Sequence, residues 1–137
     1  MNRNLFAAVV IFAVFAAACS DPIVPAAPTP VAPTITDTFT GTLLQGGSNS
    51  HPFTVQQVGG IRVSITNIDP SAAVSLGIGT PSTASGVCLA SSSLTTVASD
   101  GAQLSGTATI TGNFCVAVSD VGNLVEPVSY SVTVIHS

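Results

Sequence analysis

Three cysteines, two histidines and six carboxylates hold most of the reactive chemistry in this 137-residue sequence. His51 and His136 are the natural general bases, and the many serines offer partners for a serine–histidine–carboxylate arrangement. The signatures that fix such groups in place are missing: there is no G-x-S-x-G elbow, HExxH, P-loop or GxGxxG. His51 lies beside a turn, and His136 is the penultimate residue, a position that predicts mobility rather than catalytic geometry. The sequence reads as non-enzymatic, with a small hydrolase using His51 and a nearby serine as the lesser alternative. The other candidate site is the stretch 120–126. Oxygen ligands from Asp120, Asn123 and Glu126, joined by Asp69 or Asp100 from another loop, would suit calcium. The dense DxDxDG pattern is missing, however, and Asp or Asn beside glycine serves turns through backbone hydrogen bonds, which is the stronger reading. No cofactor other than calcium enters this reading.

The remaining cysteine chemistry depends on where the chain goes. Arg3 supplies a short positive start, residues 5–18 form an unbroken apolar run, and Ala16, Ala17 and Ala18 lead into Cys19. This is the layout of a helical signal peptide, and the run falls short of the roughly 20 apolar residues that a spanning helix needs. Small residues ending in cysteine resemble a bacterial lipobox. That resemblance implies cleavage before Cys19, acylation of its thiol, and anchoring in the cell envelope. Ser20, rather than Asp, in the next position points to the outer membrane. A secreted protein with an odd cysteine count needs a use for the third thiol, and lipid on Cys19 leaves Cys88 and Cys115 to pair in an oxidising compartment.

Residues 19–36 hold Pro22, Pro25, Pro28, Pro30 and Pro33, a density that favours a disordered, extended spacer over helix or sheet. Without the leader, one arginine against six carboxylates leaves a net side-chain charge of −5. Nucleic-acid binding needs lysine and arginine to displace phosphate counterions, so that function class is excluded, as is binding to anionic head groups. The mature chain's aromatics are Phe39, Phe53, Phe114 and Tyr130, mostly at core-facing positions, which argues against a sugar-stacking platform.

The elements that must position these groups are strands. Apolar and Ser/Thr residues alternate over 37–44, 50–56, 61–67, 73–79 and 128–135, with Gly-, Asn- or Asp-Pro-rich turns between them. Weaker segments lie at 87–89 and 94–98, and 103–110 with 114–120 reads as a hairpin about residues 111–113. Eight or nine short strands with no helical period predict an all-β domain over 37–137. Its expected form is a two-sheet antiparallel sandwich of jelly-roll type.

The stretches Phe39-Thr40-Gly41-Thr42-Leu43, Gly47 to Val55, Gly60 to Thr66, Gly112 to Val118 and Tyr130 to Val134 resemble the bacterial pre-peptidase C-terminal domains. The resemblance spans nearly all of 37–137 and implies a β-sandwich module of the kind appended to secreted proteases. The collagen-binding relatives of that family imply a protein ligand and calcium. This chain carries no protease, and Phe114-Cys115 stands where the family has aromatics, so no functional residue transfers. The expectation is a non-catalytic, lipid-anchored envelope protein displaying a binding or structural module for an unidentified protein or envelope ligand. The alternative is a calcium-dependent adhesive module.

Overall fold

A computed structural model describes residues 33–137, with side chains throughout that range except at 92–95. The expected leader, Cys19 and the spacer up to residue 32 lie outside the described residues. Eight strands follow one another: β1 (Ile35–Leu43), β2 (Ser48–Val55), β3 (Gly59–Asp69), β4 (Val74–Pro81), β5 (Cys88–Ala98), β6 (Gln103–Ala108), β7 (Gly112–Asp120) and β8 (Val128–His136). One sheet has the order β1-β8-β3-β6 and the other β2-β7-β4-β5, which is the jelly-roll arrangement.

The pairing has a simple logic. β1 pairs with β8, β2 with β7, β3 with β6 and β4 with β5, all antiparallel. The chain is thus one long hairpin with its tip between β4 and β5. Rolling that ribbon adds the pairs β3–β8 and β4–β7, and its inner face becomes the core. The alternation in the sequence selects this face. Ile61, Val63 and Ile65 of β3 and Val128, Tyr130, Val132 and Val134 of β8 are all buried, opposite Val74, Leu76, Ile78, Val116 and Val118 of the second sheet. In β3 the register slips between Ile65 and Asn67, which returns Ile68 to the inside.

Two expectations need correction. β6 and β7 are not a hairpin: β6 pairs with β3 in one sheet and β7 with β2 and β4 in the other, so residues 109–111 cross between layers. The segments at 87–89 and 94–98 are not separate, but belong to the single strand β5. Its register against β4 jumps, with Gly77 opposite Thr95 but Gly79 already opposite Ala90.

That jump has a structural use. Cys88 and Cys115 are disulfide-bonded with their Cα atoms 5.7 Å apart, yet β5 and β7 are separated by β4. Strands two places apart in a flat sheet lie about 9.5 Å from each other. The start of β5 therefore curls over β4 toward β7. Gly79 makes the room: a Cβ there would sit 2.0 Å from the Leu89 carbonyl oxygen. The bridge closes 27 residues of chain and in the loop-entropy view contributes about 3 kcal/mol.

Two variants test this arrangement by urea unfolding. Gly79→Ala should cost about 2–3 kcal/mol, the upper range for forcing an atom into packed structure. The paired change Cys88→Ala with Cys115→Ala should cost about 3 kcal/mol and abolish any further effect of dithiothreitol. An unchanged midpoint for Gly79→Ala would mean that β5 does not cross so close.

Candidate functional site

Because strands alternate in direction, the connections 44–47, 70–73, 99–102 and 121–127 share one end of the sandwich. The start of β1, the chain's last residue and the connections 56–58, 82–87 and 109–111 share the other, where Gln56 and Gln57 donate to the Ser137 carbonyl. The first end gathers Asp69, Asp100, Asp120 and Glu126, four of the six carboxylates of the sequence. All the residues expected to form a calcium site are here.

Asp120, however, is a brace. Its Oδ1 accepts hydrogen bonds from the amides of Gly122, Asn123 and Leu124 at 2.8, 3.2 and 3.3 Å. Its Oδ2 accepts from the Gly46 amide at 2.8 Å, across from the β1–β2 turn. The Asp120 amide in turn donates to the Gly47 carbonyl, and Gln45 Nε2 donates to the Leu124 carbonyl. These bonds, that from Gly46 foremost, favour the ionised form and hold the Asp120 carboxyl below its ordinary value. The aspartate-beside-glycine turn reading of the sequence is thus what the geometry displays. Among the described residues, no cluster of three or more His, Cys, Asp or Glu side chains is placed to hold a metal ion.

The histidines occupy a different region, the seam between edge strands β1 and β2. His51 Nε2 lies 2.6 Å from the Tyr130 hydroxyl, which also accepts a hydrogen bond from Asn49 Nδ2 at 2.9 Å. Asn49 donates to the Thr42 carbonyl as well, which fixes its amide. With its oxygen accepting from Asn49, the phenol donates its hydrogen bond to Nε2 of neutral His51. Burial pushes His51 below its ordinary value, favouring that neutral form, and pushes Tyr130 up. Phe39 stacks on His51 with centroids 5.0 Å apart. Tyr130 does not stand out from the surface but is buried, lying over Gly41, its partner across β1 and β8. A Cβ at Gly41 would stand 2.6 Å from the hydroxyl.

His136 is likewise fixed rather than mobile. It is the last residue of β8, is 2 % exposed, packs against Phe53, and sets Nε2 3.0 Å from Asp37 Oδ2. Residues near a chain end are held when a strand pair and a hydrogen-bond partner hold them. Among the described residues, the ring nitrogens of His51 and His136 meet the Tyr130 hydroxyl, the Asp37 carboxylate and the Ser137 carbonyl. Sequence reasoning missed this cluster. The available signal was Gly41 itself, a glycine on the core-facing side of a strand, which marks the close approach of another group.

The fold and these contacts define a jelly-roll sandwich with one braced loop end. No family model matches the chain, and no curated protein matches it. Among solved structures it is similar to the crystal structure of PliG from Aeromonas hydrophila, a periplasmic inhibitor of g-type lysozyme. The two share 13% sequence identity over 72% of this chain and 83% of that one, with a TM-score of 0.49.

Two measurements follow. A carboxyl held below its ordinary value stabilises the fold fully above that value, near pH 3.8, and the stabilisation disappears as pH falls through the folded-state value. Asp120→Asn should therefore lower stability at neutral pH and flatten the acid limb of a pH-dependent melting series. Tyr130→Phe should cost about 1–3 kcal/mol in urea unfolding, because His51 loses its partner in a half-buried place. It should also raise the His51 titration midpoint seen by NMR only if the phenol proton is what keeps the ring neutral; an unchanged midpoint would assign the effect to burial alone.

Proposed function

We infer that this chain is a lipid-anchored protein of the bacterial cell envelope that displays a non-catalytic β-sandwich binding module. The anchor reading is supported by the sequence: the apolar leader, the alanines before Cys19 and the proline-rich spacer. The binding reading is carried by one observation, that both histidines are spent on structural partners while the loop end is ordered by its own hydrogen bonds and left open to solvent. The eight-stranded sandwich over 35–136 has the fold class that the resemblance to pre-peptidase C-terminal domains implies, a class shared with many other β-sandwich proteins. Both Asp120 oxygens serve backbone amides, which favours the turn role of this loop over calcium dependence.

Mass spectrometry of the mature N-terminus tests the anchor. The expected result is an acylated Cys19 as first residue, outer-membrane fractionation of the wild type, and retention of the uncleaved leader in Cys19→Ala. An intact leader on soluble wild-type protein contradicts the reading. Thermal melting in EDTA and in calcium should give the same midpoint; a lower midpoint in EDTA would restore the calcium-dependent alternative.

A further inference from the structure

We propose that the braced loop end is a docking surface for a basic protein, with an arginine or lysine of the partner seated between residues 70–72 and 123–126. The proposal deepens the binding-module reading and rests on it. Four observations meet at this end of the sandwich. The first is charge: Asp69, Asp100, Asp120 and Glu126 lie here, and Arg62, the single arginine or lysine of the described residues, lies in β3 toward the other end. The second is exposed apolar surface. Val125 is 86% exposed and Leu44 59%, on two different loops; Val58, Val87 and Ile110 are exposed at the other end, so it is the combination of bare aliphatic tips with the four carboxylates that sets this end apart.

The third observation is shape. A depression of about 150 Å³ opens between the β3–β4 turn and the β7–β8 loop, with Pro70, Ala72, Leu124 and Val125 on its walls and Glu126 on its lining. Asp69 directly precedes that turn, through a cis peptide bond to Pro70. Aliphatic carbons mixed with the polar groups of Ser71, Asn123 and Glu126 suit a side chain with an aliphatic stem and a cationic head, which is arginine or lysine. The fourth is order. The amides of residues 46, 122, 123 and 124 are all bonded to Asp120, so the exposed groups sit on a frame already fixed before a partner arrives. Pre-ordering lowers the entropy that binding must overcome. The spread of the apolar tips over two loops exceeds what one small cation covers, so the occupant is a protein face with aliphatic as well as cationic groups. The negative end would also speed its approach, in a manner weakened by salt.

The test uses the full chain in detergent, isotope-labelled for NMR, titrated with a short peptide of alternating arginine, leucine and glycine. Its counterpart has glutamate in place of arginine. The expected result is saturable shifts of the amides at 71, 72 and 123–126 with the arginine peptide and none with the glutamate peptide. Glu126→Lys combined with Asp69→Lys should weaken binding at least tenfold, Val125→Ser severalfold, and Val58→Ser at the opposite end not at all. Each variant's unchanged amide spectrum elsewhere confirms that it is folded. Saturable shifts confined to another face, or equal responses to both peptides, overturn this surface while leaving a binding module standing. No saturable response anywhere overturns the surface and counts against the binding reading with it.

Discussion

A two-faced β-ribbon in water has one face too many to hide. Most strands of this chain place aliphatic residues on one side and small or hydroxyl-bearing residues on the other, and the antiparallel hairpin that pairs β1–β4 with β8–β5 collects the aliphatic sides on a single face. Burying that face requires the ribbon to curl onto itself. The two extra pairings, β3 with β8 and β4 with β7, are the seams of that closure. Everything else is subordinate to it. The tip-side strand β5, at a sheet edge, is drawn over Gly79 and bonded to β7 through Cys88 and Cys115. At the opposite edge, β1 and β2 are joined by Phe39, His51, Asn49 and Tyr130.

The same closure sorts the connections. Odd-numbered strands all end at one pole, so the four connections leaving them are neighbours although they are spread from residue 44 to residue 127. Two of them, 44–47 and 121–127, are joined by Asp120. The chemistry of that residue is therefore mechanical: an ionised carboxylate gathers four amides that a neutral side chain could not satisfy in this way. The described chain enters at the other pole, so its loop-rich end lies away from the residues that lead toward the spacer.

Much of this fold was legible in the residues. The alternation of Ile61, Val63 and Ile65, and of Val128, Tyr130, Val132 and Val134, named the buried faces and hence the class, and the two cysteines left over once Cys19 is read as the lipidated residue named the bridge. Partners across the sheets were not legible, because alternation reports which face is buried and not which strand lies alongside. The short Gly112-containing link invites a local hairpin, and nothing within residues 103–120 reveals that β3 and β4 claim the two strands separately. β5 was split in reading because its Ser-rich middle lacks alternation, the region where its register jumps against β4. Of the candidate site, the acidic residues and the turn role of Asp120 were visible, but not its reach across to the Gly46 amide of the β1–β2 turn. His136 was misjudged because nearness to the chain end says nothing of a partner almost a whole chain away at Asp37.

The rolled ribbon makes a sharp demand on strand neighbours, and backbone NOE contacts in an NMR spectrum of the labelled protein answer it directly. Cross-strand contacts should link Val63 with Leu104, Phe53 with Phe114 and Phe39 with Val132, and none should run between β6 and β7. A ladder of contacts between residues 103–108 and 112–120 would contradict the closure, and with it the shared pole on which the proposed surface stands.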